Sequence, residues 1–243
     1  MKNIMSEEKH MGAQIYEWRE TISWLRDNIS DIIEEINNNK ETPYWVGPSH
    51  KTGNLNQFFL NKESKWLEFA KEIENKTLLE IGGSCFGVSA MWTFVNKRIH
   101  IDPLLDKMGF ILESYLGRSW YEGVKEYSIC AEEFIPELEN TIDGCIYCRN
   151  CLDHTKNPWI ILNNIAKYAQ EGCYLLLWNE ITHPGGGDEG HSNITQDPQE
   201  LENYIKSLGF DIIRPVIHGG PAGEQKSAGL DYGCIAIKSG KNE

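Results

Sequence analysis

The feature that most constrains the fold of this chain is an alternation of short apolar runs with helix-like stretches, beginning at Thr77. Several runs are continuously apolar, which is typical of strands in a sheet covered on both faces. Helical stretches separate the first six runs, and this alternation builds right-handed βαβ units with a parallel sheet, whose ligands bind at the carboxyl ends of the strands. The seven predicted strands span residues 78–81, 99–101, 124–129, 144–148, 173–178, 210–217 and 232–237.

The last two predicted strands are joined only by a glycine-rich loop, residues 218–229. A parallel pair would need a covering helix, so we expect these two strands to be antiparallel. Cap and proline signals place helix starts at Asp197-Pro198, with Gly209 at the end, and at Asn157-Pro158, with an end near residues 171–172. The predicted fold class is therefore α/β, a Rossmann-like, mostly parallel seven-stranded sheet with an antiparallel last strand.

An amphipathic helix precedes this region. Its apolar residues recur at alternating spacings of three and four, and they are Ile15, Trp18, Ile22, Leu25, Ile29, Ile32 and Ile36. This stripe is short for a coiled coil, so we expect the helix to pack on its own chain rather than in a dimer seam. Residues 43–60 mix aromatic residues with turn formers, and a second helix is predicted over residues 62–74. We divide the chain into an N-terminal helical cap, residues 1–76, and an α/β domain, residues 77–243.

The net charge of the chain restricts the classes of molecule that it can be expected to bind. Its 23 Lys and Arg residues face 36 Asp and Glu residues, a formal net charge of −13, which disfavours nucleic acid and anionic lipid. No apolar run is long enough to span a membrane, and the N-terminus does not resemble a signal peptide. The seven Cys residues fit reduced thiols better than a disulfide framework. We expect a cytoplasmic monomer or homodimer that acts on a small molecule.

The strongest local signal is a buried strand that ends in Glu80, followed by the glycine-rich turn of residues 82–87 and a helix from about Val88. Small residues let a ligand approach the backbone, and the helix start supplies N–H groups. The next strand ends in Asp102, placed as an acid that accepts hydrogen bonds from both hydroxyls of a ribose. The pattern predicts a nucleoside-containing ligand, with Glu80 available to an ammonium group.

These residues resemble a known family. Glu80-Ile81-Gly82-Gly83-Ser84 resembles motif I of the class I S-adenosylmethionine-dependent methyltransferases, and Asp102 resembles their motif II acid. Cys130-Ala131-Glu132-Glu133-Phe134 resembles the adenine-contacting segment, and Asn150-Cys151-Leu152-Asp153-His154 resembles the segment after the fourth strand. The resemblance covers about residues 77–238 and is closest to the small-molecule branch called methyltransferase type 11.

The resemblance implies S-adenosyl-L-methionine as cofactor and a set of residues that bind it. Glu80 and the turn containing Gly82, Gly83, Ser84 and Gly87 would hold the methionine end, and Asp102 would hold the ribose. Ala131 and Glu132 would meet the adenine edge, while Arg149, Asn150 and Cys151 would form the wall beside the sulfonium. Ser84 departs from the usual glycine, and Cys130 stands where an acid often contacts the adenine amine.

Two other classes of function remain open. Gly82-Gly83-Ser84-Cys85-Phe86-Gly87 also approximates the G-x-G-x-x-G pattern of an NAD(P)-dependent oxidoreductase. There the second glycine admits a pyrophosphate, and here that position is Ser84. Glu80 would also repel a pyrophosphate. The other alternative is a non-catalytic protein that binds S-adenosylmethionine.

Two clusters could suggest a metal. Cys145, Cys148 and Cys151 have a C-x-x-C-x-x-C spacing, but Cys145 and Cys148 fall in a predicted buried strand, where they cannot converge on one ion. The second cluster, which fits no stereotyped spacing, consists of His183, Asp188, Glu189 and His191. The sequence therefore predicts no bound metal.

Methyl transfer requires a positioned acceptor and, for a hydroxyl, a group that removes its proton. Imidazole titrates near neutrality, so the candidate general bases are His191, then His183, then His154. Candidates for substrate contact are Tyr16, Trp45, His50, Asn54 and Asn179. The predicted reaction is methyl transfer from S-adenosylmethionine to an oxygen or nitrogen of a small polar metabolite, with glycan or nucleotide-linked precursors as one candidate class.

Overall fold

The chain has 243 residues, and its fold is seen in a computed structural model. The residues that the structure describes are 7–39, 42, 44–45, 58–59, 62–83, 87–116, 119–183, 191–195, 197–218 and 230–240. His50, Asn54 and Ser84, together with the acidic residues Asp188 and Glu189, lie outside these residues, as do parts of the predicted loops 43–60 and 218–229.

Seven strands form one sheet. In chain order they are β1 Thr77–Ile81, β2 Lys97–Ile101, β3 Val124–Tyr127, β4 Cys145–Arg149, β5 Tyr174–Thr182, β6 Phe210–His218 and β7 Leu230–Lys238. Their order across the sheet is β3-β2-β1-β4-β5-β7-β6. The first five strands pair in parallel, and β7 is antiparallel to both β5 and β6. The predicted fold class is confirmed, including the antiparallel last strand.

Six helices accompany the sheet in the part of the chain that the structure describes. They are α1 Glu7–Asn39, α2 Glu63–Ile73, α3 Val88–Met91, α4 Leu105–Leu116, α5 Pro158–Tyr168 and α6 Pro198–Ser207, with 3₁₀ turns at Pro136–Leu138 and Leu152–His154. The connection between β3 and β4 contains only a 3₁₀ turn, where we expected a helix. The backbone N–H groups of Asn140, Thr141 and Ile142 instead donate to the carbonyls of Lys167 and Tyr168 at the end of α5.

The predicted helix starts are confirmed by their caps. The Asn157 side chain accepts a hydrogen bond from the Trp159 N–H, and Asp197 accepts one from the Gln199 N–H at 2.9 Å. Gly209 has a φ of +81°, as expected for a glycine that ends a helix. The end of α5 differs from the prediction, because the chain leaves the helix at Ala169, which forms a bridge with Ile142.

The core lies on both faces of the sheet, and α1 contributes to one of them. Ile29, Ile32 and Ile36 are buried in the same cluster as Trp66 of α2 and Leu78 of β1. The expectation that α1 packs on its own chain is met for this C-terminal half of its apolar stripe. Earlier in the helix, Trp18 packs partly buried against the same cluster, whereas Ile15 is 49% exposed and Ile22 is 40% exposed.

The cysteines of β4 lie on both faces of the sheet. Cys145 packs on one face of the sheet with Trp66, and Cys148 packs on the other face with Leu152. Six of the seven Cys residues are described, and all six are free. In the described part of the chain, every helix is too short or too polar to cross a membrane.

Candidate active site

The carboxyl ends of β1 and β4 touch each other at Gly82 and Cys151. Gly82 follows β1 with a φ of +61°, and its N–H donates to the Ile101 carbonyl at the end of β2. A Cβ atom at residue 82 would lie 2.4 Å from the Cβ of Cys151. Glycine is required here both by the backbone conformation and by the contact. Two segments that the sequence predicted to line one pocket are therefore neighbours.

Glu80 lies inside the glycine-rich turn. Its side chain is 1% exposed, and its two carboxylate oxygens accept hydrogen bonds from the N–H groups of Val88, at 2.9 Å, and Ser89, at 2.7 Å. A Cβ atom on Gly83 or on Gly87 would come within 2.4 Å of a Glu80 oxygen. Burial raises the pKa of Glu80 to about 7, against the hydrogen bonds that lower it. The first amides of α3 are thus bonded to Glu80, and the contact of Glu80 with an ammonium group stays a prediction.

Asp102 follows β2 and is also buried, at 8% exposure. Its Oδ1 accepts a hydrogen bond of 2.7 Å from the Leu104 N–H. Its charge is one cause of the raised pKa of Glu80. Asp102 stands where the predicted ribose acid should be, at the carboxyl edge of the sheet beside Glu80.

Cys151 lies among these acids. The pKa of its thiol is raised by contact with the Cys148 sulfur, by burial, and by the charges of Asp153 and Asp102. The two sulfur atoms are 3.1 Å apart. Two carboxylates, those of Asp102 and Asp153, therefore act on Cys151 where β1, β2 and β4 meet.

The segment predicted to meet adenine is held by α5. The Asn164 Nδ2 donates to the carbonyls of Ala131 and Glu132, at 3.0 and 3.1 Å. Glu132 Oε1 accepts from the N–H groups of Lys156 and Asn157 at the start of α5. Its Oε2 is buried and accepts no hydrogen bond from the described residues. These bonds fix the segment at the edge of the sheet; adenine contact stays a prediction.

Asn179 on β5 supports the wall after β4. Its Oδ1 accepts hydrogen bonds from the N–H groups of Cys151, at 2.8 Å, and Leu152, at 2.9 Å, while the Asn150 N–H donates to the Trp178 carbonyl. Asn150 has a φ of +47°, so the chain turns sharply after Arg149. Asn179 is fully buried and holds this turn, and its predicted contact with substrate is untested.

The three predicted general bases converge on one buried carboxylate, Asp153. His183 Nε2 lies 3.1 Å from Asp153 Oδ2, and His154 Nε2 lies 3.7 Å from the same oxygen. The ring centres of His154 and His183 lie 4.4 and 4.7 Å from that of His191. We call Asp153, His154, His183 and His191 the imidazole cluster.

A second carboxylate, Glu180, holds the other side of His183. Its Oε2 lies 3.1 Å from His183 Nδ1. Burial lowers the pKa of His183, but the carboxylates of Asp153 and Glu180 outweigh burial and raise it to about 9. An imidazole that is already protonated at neutral pH cannot accept a proton, so this environment disfavours His183 as a general base.

Backbone hydrogen bonds bring His191 back to the sheet after residues 184–190. The Ser192 N–H donates to the Asp153 carbonyl at 2.9 Å, and the Ile194 N–H donates to the Ile181 carbonyl at 3.0 Å. The Asn193 side chain accepts from the His183 N–H. His191 is thereby placed beside Asp153 by the chain itself.

Two of the four N-terminal candidates for substrate contact are described, and one of them reaches the cluster. The Tyr16 ring on α1 lies edge-on to His191, with 5.7 Å between ring centres. Trp45 is half-buried and packs against the core cluster that contains Trp66. The helix that carries Tyr16 thus covers one side of the imidazole cluster.

The sequence interpretation did not predict that Asp153 lies between the histidines. Its position was visible within Asn150-Cys151-Leu152-Asp153-His154, but it was quoted there only as part of a family resemblance. The available signal was an acid directly before a histidine at the carboxyl edge of the sheet. Glu180, at an equivalent edge position on β5, was also missed.

Comparisons with solved structures agree with this architecture, although no family model and no curated protein matches the chain. An S-adenosylmethionine-dependent methyltransferase from Aquifex aeolicus is 19% identical, with a TM-score of 0.51 over 79% of this chain and 94% of its own. One from Mesorhizobium loti is 12% identical, with a TM-score of 0.52 over 73% of this chain and 99% of its own.

A third structure is similar over almost the whole chain. The [4+2]-cyclase SpnF is 13% identical, with a TM-score of 0.57 over 99% of this chain and 100% of its own. At these identities, the similarities bear on the fold alone. Together with the strand order β3-β2-β1-β4-β5-β7-β6, they show that this chain has the Rossmann-like fold of class I S-adenosylmethionine-dependent methyltransferases.

Proposed function

We propose that this chain is an enzyme that binds S-adenosyl-L-methionine and transfers its methyl group to an oxygen or nitrogen of a small polar molecule. The observation that carries the proposal is the meeting point of β1, β2 and β4, where Asp102 and Asp153 act on Cys151 and Glu80 is buried inside the glycine-rich turn. A ligand that bears a sulfonium and an ammonium group suits such a site, because both groups are cationic.

The same charges argue against a nicotinamide dinucleotide. A pyrophosphate would lie near Glu80, and the first two amides of α3 that would otherwise receive it are bonded to that carboxylate. The sheet also differs from the dinucleotide-binding order 3-2-1-4-5-6, because antiparallel β7 lies between β5 and β6. We therefore favour the methyl donor.

The roles we assign follow the positions of the side chains. Asp102 would accept hydrogen bonds from the ribose, Ala131 and Glu132 would meet adenine, and Arg149, Asn150 and Cys151 would line the reacting end. Bound S-adenosylmethionine supplies an electrophilic methyl group. Among the histidines, His191 is our first candidate for general base, since His183 is held in its protonated form by two carboxylates.

The N-terminal helical cap, residues 1–76, would close the site. Tyr16 on α1 touches His191, and exclusion of water protects a reacting centre from a competing solvated nucleophile. The acidic balance of the chain disfavours nucleic acid and anionic lipid as partners. We accordingly propose a small polar metabolite of the cytoplasm as the acceptor, including glycan or nucleotide-linked precursors.

A second candidate function is a reaction other than methyl transfer on the same fold. The likeness to the cyclase SpnF extends over 99% of this chain, so it includes the N-terminal region as well as the sheet. A screen of metabolites with S-adenosylmethionine carrying an isotope-labelled methyl group separates the two candidates. Labelled product supports methyl transfer, whereas product without label supports the second candidate.

Cofactor binding is tested by calorimetry with S-adenosylhomocysteine. The wild-type chain should bind it, and Asp102→Ala should weaken binding by about 1–3 kcal/mol through loss of a charge-assisted hydrogen bond. Asp211→Ala is the matched control, because it removes an exposed acid on β6 whose side chain accepts a hydrogen bond from the Ser239 hydroxyl. Equal affinities of wild type and Asp102→Ala would remove the ribose assignment, and binding of NAD instead would overturn the proposed cofactor.

A further inference from the structure

We infer that Asp153, His154 and His191 form a binding site for one first-row divalent transition-metal ion of the Zn²⁺, Fe²⁺ and Co²⁺ class. Each residue offers one ligand atom, and these three atoms all lie within 4.8 Å of one another. One carboxylate and two imidazoles form a ligand set that such ions prefer, whereas Mg²⁺ and Ca²⁺ prefer oxygen alone.

The first support is the state of the Asp153 carboxylate. The side chain is 0% exposed, and neither oxygen accepts a hydrogen bond from the part of the chain that the structure describes. A buried carboxylate without hydrogen bonds is costly, and native proteins compensate it with a paired charge or a metal. His183 Nε2, 3.1 Å away, is an ion-pair partner of Oδ2, whereas Oδ1 accepts no hydrogen bond from the described residues.

The distances also fit a shared ion. Nitrogen and oxygen ligands about 2.1 Å from one metal stand roughly 3–3.5 Å from each other. Asp153 Oδ2 lies 3.1 Å from His183 Nε2 and 3.7 Å from His154 Nε2. The three proposed ligand atoms, which lie within 4.8 Å of one another, would have to move closer together around an ion, while His183 stays paired with Asp153 beside them.

The arrangement around His183 matches that of metal-binding histidines. In such sites, one ring nitrogen bonds a carboxylate or carbonyl, which fixes the ring and turns the other nitrogen toward the metal. Glu180 Oε2 lies 3.1 Å from His183 Nδ1, and Nε2 faces Asp153 on the opposite side of the ring. Glu180 therefore acts as the carboxylate that orients His183.

The position of the site suggests what the ion would hold. Asp153 lies two residues after Cys151, which forms part of the wall proposed for the sulfonium, and Tyr16 covers His191 from α1. Three protein ligands leave coordination positions open. An oxygen of the methyl acceptor would take one of them, and the ion, rather than a metal-bound His191, would then lower the pKa of that oxygen. This role rests on the proposed function, whereas the metal site does not.

An ion pair between protonated His183 and Asp153 would account for part of the same geometry without a metal. The two explanations differ in one measurable respect, since only a metal site binds one equivalent of cation through His154 and His191. The test therefore uses variants of these ligands and leaves His183 intact.

Full-length protein, first stripped with a chelator, is titrated with Co²⁺ by calorimetry and visible absorption. Wild type should bind one equivalent, and Asp153→Asn and His191→Ala should each weaken binding by about tenfold or more. Asp211→Asn removes an equal charge at an exposed site and should leave the affinity unchanged, which controls for the net charge of −13. Binding that is unaffected in both ligand variants, or absent in wild type, overturns the inference.

Two further readouts keep the test decisive. A metal that binds only the folded chain raises its Tm, so Co²⁺ should raise the Tm of wild type and Asp211→Asn but not of His191→Ala, even if Asp153→Asn folds poorly. A thiolate-to-cobalt charge-transfer band would move the site to Cys148 and Cys151 and overturn the inference.

The outcome is separable from that of the proposed function. Binding of S-adenosylhomocysteine by wild type without binding of Co²⁺ would overturn the metal site alone. Binding of Co²⁺ without S-adenosylhomocysteine would support the metal site and overturn the proposed cofactor.

Discussion

At Glu80, burial and charge oppose each other within one side chain. The carboxylate is 1% exposed, yet it accepts hydrogen bonds from the Val88 and Ser89 N–H groups. Burial dominates and raises its pKa to about 7, well above the 4.5 of the unfolded chain. A carboxyl group with a raised pKa stabilises the fold fully below the unfolded pKa, and this contribution is lost as pH rises through the folded pKa.

Glu80→Gln tests this balance. Relative to the variant, the wild type should lose about 2–3 kcal/mol of unfolding free energy between pH 4.5 and 8, measured by urea unfolding at several pH values. In Glu80→Gln, one of the two backbone N–H groups that donate to Glu80 would face the NH₂ group of glutamine. The free-energy cost of this contact does not vary with pH. Glu68→Gln removes an exposed acid of α2 and serves as the control. Parallel profiles for wild type and Glu80→Gln would contradict the raised pKa.

The sequence predicted which residues lie at the site better than it predicted which groups those residues contact. Asp102 was predicted from its position at the end of a strand, and it lies at the carboxyl edge of the sheet. The contacts of Glu80 and the convergence of His154, His183 and His191 on Asp153 depend on how loops fold back in space. The hydrogen bond from the Ser192 N–H to the Asp153 carbonyl closes that loop, and no local pattern encodes it.

At the scale of elements, the caps of the helices are the features that the sequence predicts most directly. Asp197 precedes Pro198, and its side chain accepts from the Gln199 N–H at 2.9 Å. Asp197→Ala should therefore cost about 1 kcal/mol of unfolding free energy, while Asp197→Asn, which keeps an acceptor oxygen, should cost little. Chemical denaturation of the three proteins checks this. Equal losses for alanine and asparagine would mean that the cap hydrogen bond contributes nothing.

Strands were predictable for a related reason. A strand that is buried on both faces consists almost entirely of apolar residues, so the run 173–178 could be predicted as a strand from its composition alone. The structure has this strand, β5, at Tyr174–Thr182. The segment between β3 and β4 was not predictable in this way. Its 3₁₀ turn, Pro136–Leu138, is short and is followed by backbone hydrogen bonds to the end of α5, which are contacts distant in sequence.

At the scale of the whole molecule, the N-terminal region and the sheet share a core. Ile32 of α1 is 0% exposed and lies in the same cluster as Trp66 of α2 and Tyr147 of β4. This shared cluster couples the stability of the N-terminal region to that of the sheet, because unfolding of either region would expose buried side chains of both. The boundary that we placed near residue 76 would then mark the end of the helical cap, but the residues on its two sides would fold and unfold together.

Ile32→Ala tests this coupling. Removal of a fully buried isoleucine side chain should cost about 2–5 kcal/mol, and the loss should appear as one cooperative transition at lower denaturant, followed by both tryptophan fluorescence and circular dichroism. Ile15→Ala is the matched control on the same helix, because Ile15 is 49% exposed and its truncation should change the free energy by less than about 0.5 kcal/mol. Two separate transitions in Ile32→Ala, with the later one at the wild-type midpoint, would show that α1 folds and unfolds independently of the sheet.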